Sequence, residues 1–472
     1  MTIRRAAAYL LAIATAASSA EAAEGWSAGA AAADVTPPGP VWLAGYASRK
    51  SQSEGVTLPI KVKALALRDP SGSTAVLLTA DVVGFDRGFA SRVFDRIGQA
   101  HGLPRGSVAL FASHTHTAPL VRDARPMLTE RGMDLAQAKP NDDFRRDIEE
   151  KLVGVAASAL RSLRPVELAN GEGEARFAIN RREKTPNGYK IGLNPDGPVD
   201  RAVPVLRAVD SEGNLVAVLF GYACHNTTLT DKIMTISGDY AGFAQAKLEA
   251  DHPGVVALFA MGCGADANPN PRGTVELGRL HGDELAKSVE DVLARPDRLR
   301  AIEGALRTAF AEPGLPLAGP TDRASYVARL EETPEKPVQR AHARRLIAAI
   351  DAGRPIPSTY PYPIHAFSFG DSLVLVALAG EVVVDYSLRL KREAAAPGRS
   401  LWVAAYADDV FSYVPSARVL AEGGYEGGDA IFGSYANLPG PFASEVEATI
   451  VGTVRDLIAR IAPTPSNREP SR

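Results

Sequence analysis

The sequence predicts an α/β protein: one large domain of mixed, largely parallel β-sheets flanked by helices. Three observations carry this. Apolar, strand-length runs at 74–83 and 107–111 bracket a helical pattern at 89–100 with Phe89, Val93 and Ile97 on one face. Strand, helix, strand in that order is a parallel βαβ unit. Further apolar runs ending at Cys224, Met261, Ala379 and Ala405 each lead into a polar or glycine-rich stretch, as strands do where an open sheet meets its ligand crevice. The composition, 46% hydrophobic and 23% charged over 472 residues, is that of an ordinary globular chain.

The elements follow in order. Residues 30–34 end a strand that Pro37, Pro38 and Pro40 close, since proline cannot donate to a ladder. Residues 60–68 read as a strand, 69–72 as a turn and 74–83 as a second strand. After the strand at 107–111, residues 121–141 are polar and irregular, a loop over the site. Phe144, Ile148, Leu152, Val155, Ala159 and Leu163 keep helical spacing, and Pro165 ends that helix. Residues 177–200 read as irregular. A hairpin pairs 203–209 with 215–224. Asp239 reads as the N-cap of a helix reaching about residue 250. A strand at 255–261 and a helix at 275–293 follow. Residues 322–353 are helical and charged, interrupted by Pro334 and Pro337. Strands at 373–379 and 401–405 precede a last helix at 443–461.

Formal net charge is −3, which gives no argument for a nucleic-acid partner. Residues 1–23 have the layout of a cleavable signal: Arg4 and Arg5, an apolar core, then small residues. The protein is therefore expected to be exported, to a periplasm or the medium. The mature domain is expected over 24–462, with a disordered tail at 463–472. Cys224 and Cys263 are the only cysteines. They exclude a cysteine zinc site and leave two readings, a disulfide or two small buried hydrophobes.

The chemistry starts at Ser113-His114-Thr115-His116-Thr117. Two histidines at the carboxyl end of a buried strand project into the sheet's ligand crevice. Singly, a histidine here is more often structural. His225, Glu381 and Tyr413 also follow separate apolar runs. If those strands share a sheet, their ends converge with His114, and two imidazoles plus a carboxylate form a zinc ligand set with an open position.

These residues resemble the neutral/alkaline non-lysosomal ceramidases. The resemblance lies in Asp34-Val35-Thr36-Pro37 with Gly45-Tyr46, in the His114-Thr115-His116 segment, and in Ala223-Cys224-His225 with Ser237-Gly238-Asp239. It continues in Gly380-Glu381 and in Tyr413 and Tyr425, twelve apart. It spans roughly residues 26–461 and is of the catalytic N-terminal type, without the C-terminal immunoglobulin-like domain. It implies one catalytic Zn2+ held by His114, His225, Glu381 and Tyr413. It also implies His116 beside the metal as acid/base, Arg181 contacting the reacting group and Tyr425 stabilising the oxyanion. The family's serine falls on Asn268, whose amide is no nucleophile. Asn268 is then a substrate-holding group.

The expected function is a zinc-dependent hydrolase of an amide in an N-acyl lipid or related N-acyl substrate, with peripheral membrane contact and no obligate protein partner. The rivals are a zinc esterase or deacylase on another exported substrate, and a non-catalytic lipid- or glycan-binding relative. Asp266 is expected either to orient a ligand histidine or to close its own loop.

Overall fold

Alternation of buried side chains fixes the central layer. Along the strand Lys61–Arg68, Val62, Ala64 and Ala66 face one apolar cluster and Leu65 and Leu67 another, the period of two that a sheet buried on both faces requires. This computed structural model describes residues 25–394 and 396–462. The expected signal segment and disordered tail lie outside the described residues.

The main sheet runs in the order Val256–Met261, Leu215–Tyr222, Ala202–Asp210, Arg164–Glu174, Trp26–Asp34, Lys61–Arg68, Thr74–Ala80, Val108–Ala112. A second sheet orders Leu306–Ala311, Ile364–Phe369, Leu373–Leu378 and Ser400–Ala404. The two pack face to face through Leu65, Leu77, Phe111, Phe367, Leu375 and Trp402. Helix Lys139–Arg161 covers the outer face of the main sheet, and helix Val446–Arg460 covers the second. Ile148 and Leu152 are fully buried, so truncating either to alanine is expected to cost about 2–5 kcal/mol.

The α/β class, with mixed sheets flanked by helices, is as expected. The parallel share is smaller. In the main sheet only Thr74–Ala80 with Val108–Ala112 and Leu215–Tyr222 with Val256–Met261 are parallel. Each is joined by a crossover helix, Arg87–His101 or Asp239–Asp251. The strands between them pair antiparallel; Lys61–Arg68 with Thr74–Ala80 and Ala202–Asp210 with Leu215–Tyr222 are joined by turns too short for a parallel crossover.

The parallel pairs sit at opposite ends of the strand order, yet their histidines meet. The sheet curls until Val256–Met261 contacts Val108–Ala112. The segment after Ser400–Ala404 then bonds to both ends: Ala405 N–H to Met261 O at 2.8 Å, Ala112 N–H to Tyr406 O at 3.2 Å and Asp408 N–H to Leu110 O at 2.7 Å.

Other expectations need correction. Residues 178–194 are a hairpin, Ala178–Thr185 with Gly188–Asn194, not irregular chain. Residues 121–141 contain the helix Arg125–Glu130 and the 3-10 turn Leu135–Ala138, which pack through Leu128 and Ala138 with Trp42. The helix N-cap is Gly238. Asp239 is the first helical residue, at φ 52°. No helix among the described residues is long and apolar enough to cross a membrane.

Candidate active site

The strand Val108–Ala112 delivers His114. Its parallel pairing continues past the strand, with Ser113 N–H on Ala80 O and His114 N–H on Val82 O, both at 2.9 Å. His114 then turns to φ 59°, a backbone conformation that costs a non-glycine residue about 1 kcal/mol or more. The hydroxyls of Thr115 and Thr117 donate to Ser237 O at 2.9 and 3.0 Å. Those anchors turn the threonines one way and the imidazoles the other.

Leu215–Tyr222 delivers His225, whose N–H bonds Ala267 O at 3.0 Å. Leu373–Leu378 delivers Glu381 through Gly380 at φ 74°, where a Cβ would fall 2.8 Å from Val414 Cγ2 and 2.9 Å from Ser412 O. Glu381 and Tyr413 are register partners in a short parallel bridge, so their side chains leave on the same side.

All of these meet. His114 Nε2 lies 3.2 Å from His225 Nε2 and 3.1 Å from His116 Nε2. Glu381 Oε2 is 3.2 Å from both His114 Nε2 and His225 Nε2. Tyr413 Oη is 3.2 Å from His225 Nε2. His114 Nδ1 contacts Val83 O at 2.6 Å and His225 Nδ1 contacts Gly264 O at 3.0 Å. A carbonyl can only accept, so Nδ1 carries the proton and each Nε2 presents a lone pair inward. Burial, reinforced by the Arg181 charge, lowers the His225 pKa to about 3. Burial, with His114 and His225 alongside, holds His116 well below the ordinary range. For Glu381 burial acts upward, but the facing His114 and His225 outweigh it and keep the carboxyl well below its usual value.

This donor set fits a divalent cation. The ligand nitrogens of His114, His116 and His225 lie within 4.8 Å of one another. Glu381 Oε2 is buried without a hydrogen-bond donor. Lone pairs facing lone pairs and an orphaned carboxylate oxygen leave a positive ion as the natural partner. The expected set of His114, His225, Glu381 and Tyr413 is brought together. His116 is equally close.

His116 is held from behind. Its ring sits on Gly45 (φ 88°), where a Cβ would fall 2.3 Å from His116 Cγ. Tyr46 meets it edge-on at 4.9 Å. Tyr406 covers His114 at 4.4 Å.

Arg181 is buried, and each of its three side-chain nitrogens has a partner. It donates to Glu426 Oε1 at 2.7 Å, Tyr413 Oη at 3.0 Å and Asn268 Oδ1 at 3.3 Å. Asn268 Oδ1 also takes the Thr227 hydroxyl at 3.4 Å. The Tyr425 ring lies 5.1 Å from that of Tyr413 and is 42% exposed, at the mouth. Asp266 closes its loop, accepting from Val384 N–H at 2.8 Å and Asn180 Nδ2 at 3.2 Å. Among the described residues its carboxylate bonds no histidine. Cys224 and Cys263 are free and buried. Sequence reasoning missed Glu426, Thr227 and the Tyr406 contact. Only Glu426, beside Tyr425, had a neighbour that pointed to it.

A cleft of about 670 Å³, lined by residues including Arg68, His101, Leu160 and Thr308, includes none of the converging side chains. A smaller crevice borders Tyr413, Tyr425 and Glu426.

Comparison with known proteins agrees with this geometry. The family model for the neutral/alkaline non-lysosomal ceramidase N-terminal region matches residues 26–281. The neutral ceramidase of Pseudomonas aeruginosa is 24% identical over 466 residues, taking in 84% of this chain and 67% of that protein. Neutral ceramidase A of Dictyostelium discoideum is 26% identical over 263 residues, 51% of this chain but only 35% of its own length. A crystal structure of the Pseudomonas aeruginosa enzyme superposes with a TM-score of 0.70 at 21% identity, covering 95% of this chain and 76% of that one. A ceramidase complexed with C2 gives 0.71 at 20%, covering 94% and 78%. At these identities the structures establish the shared fold.

Proposed function

Because the chain belongs to the neutral/alkaline non-lysosomal ceramidase family, we propose that it is a zinc-dependent hydrolase cleaving the amide bond of an N-acyl lipid or related N-acyl substrate. The observation that carries the reading is the convergence of His114 Nε2, His225 Nε2 and Glu381 Oε2 within 3.2 Å. His114, His225, Glu381 and Tyr413 would hold the ion. Zn2+ bound there supplies Lewis acidity, which polarises a carbonyl and makes water a nucleophile near neutral pH.

The chain's own groups do the rest. His116 Nε2 accepts the proton of the attacking water and returns it to the leaving amine. The Tyr425 hydroxyl donates to the oxygen where negative charge develops. Arg181 fixes Tyr413 and Asn268 through two of its N–H groups, and the N–H groups left over contact the reacting group. Exposed Tyr425, Ile191 and Leu193 support peripheral contact with a lipid surface, since the helix carrying Tyr425 packs on the strand Gly188–Asn194.

A second reading, a deacylase or esterase acting on another exported substrate, draws on Asn268, which puts an amide where the family has a hydroxyl. The test is zinc content and turnover over a panel of N-acyl amides and esters, for wild type and His114→Ala. The expected result is one zinc per chain and amide cleavage in wild type, with both lost in the variant. Equal zinc in the two proteins overturns the metal assignment.

A further inference from the structure

Arg122 lies six residues beyond His116 and is half-buried. Its guanidinium sits 5.2 Å from the ring centroid of Tyr435, and it takes part in none of the hydrogen bonds or ion pairs among the described residues. The acidic groups whose charge reaches it are Tyr435, Asp86 and Glu381. Each is committed elsewhere. Asp86 caps Phe89 N–H and takes Arg145 at 3.0 Å. Glu381 faces the imidazoles, and the Tyr435 hydroxyl donates to Asp409. Burial lowers the Arg122 pKa, as expected of a cation sheltered without an answering anion.

The His116 side of the site repeats the pattern. Arg49 donates to the carbonyls of Ala44, His116 and Ile233. Arg272 donates to the Tyr46 hydroxyl at 3.1 Å. Neither forms an ion pair among the described residues. The contrast is with Arg181 and Arg182, which both bind Glu426. Three arginines without an ion pair among the described residues thus lie near the site: Arg49 and Arg272 beside His116 and Tyr46, and Arg122 within electrostatic reach of Glu381. The Arg122 guanidinium is half-buried and meets no protein anion among the described residues, and its fork of donors matches a carboxylate.

We propose that Arg122 recognises a carboxylate on the substrate, so that the preferred substrate is an N-acyl compound carrying an acidic group beside the scissile amide. This rests on the hydrolase reading above and names its substrate class. Arg122 is a specificity residue in it, set apart from the proton-transfer groups.

The test compares N-lauroylglycine with N-lauroylethanolamine, which share an acyl chain and differ in charge. With zinc-loaded wild type, kcat/KM is expected to favour the acid by about tenfold or more, mainly through KM, as for one charge-assisted contact. Arg122→Gln is expected to bring the ratio toward one, and Arg122→Lys to keep part of it. In calorimetry on metal-free protein, Arg122→Gln is expected to bind N-lauroylglycine about tenfold more weakly. Equal turnover of the two amides by wild type, or an unchanged ratio in Arg122→Gln, overturns the proposal. Arg122-dependent binding without cleavage of either amide would sustain anion recognition and overturn the hydrolase reading instead.

Discussion

His116 shows how much one side chain is asked to do. It has Nε2 against the cluster and a buried Nδ1 without a partner, which leaves it free to move a proton. His116→Ala is expected to keep zinc, by elemental analysis, and to lose turnover by about 100-fold or more. Loss of zinc with activity would make it a ligand. Gly45→Ala addresses the same residue from behind. A Cβ 2.3 Å from His116 Cγ must displace the ring, and a left-handed alanine adds about 1–2 kcal/mol. Reduced turnover with retained zinc, and a lower unfolding midpoint, is the expected pair of readouts. The histidines were legible because an apolar run placed them at a strand end. Arg122 and Glu426 were not, because charged residues in loops and very short helices look alike until their partners, or lack of them, are visible.

Elements were read best where one face repeats. The helix Val275–Leu293 matches its expected bounds, and the pair Arg323–Glu332 and Pro337–Asp351 is split by a break containing Pro334. The hairpin 178–194 escaped because its buried positions include Arg181 and Arg182. Their carboxylate partners Glu422 and Glu426 lie 240 residues or more downstream, so no local apolar pattern exists. The strand Trp26–Asp34 is mostly alanine and glycine, and Arg164–Glu174 follows directly on a helix. With only the end of the first read as a strand and the second missed, the sequence reading overstated parallel pairing. The helix Pro337–Asp351 carries its own pH dependence. His342 donates to Leu438 O and, buried beside Arg329 and Arg345, has its pKa lowered from 6.5 to about 4. A lowered histidine value means the unfolded chain binds the proton first. Stability is therefore complete above about pH 6.5 and declines as pH falls toward 4, by up to about 3 kcal/mol. Denaturant midpoints measured across that window should show the decline, and His342→Gln should flatten it.

At the scale of the whole molecule, the site exists only because the main sheet curls and the segment after the strand Ser400–Ala404 ties its two ends. The proposed ligands from 114 to 413 then share a point that the unfolded chain cannot offer, so binding of an ion there would be linked to folding. Zinc at about a thousandfold above its Kd is expected to add about 4 kcal/mol. Chelation should lower the calorimetric midpoint, and the His114→Ala protein should not respond to either treatment. The two thiols carry a separate consequence. With both cysteines buried and unbridged, maturation requires no oxidant. The chain should reach the same fold in a reducing cytosol as outside the cell, and dithiothreitol should leave its melting curve where it was.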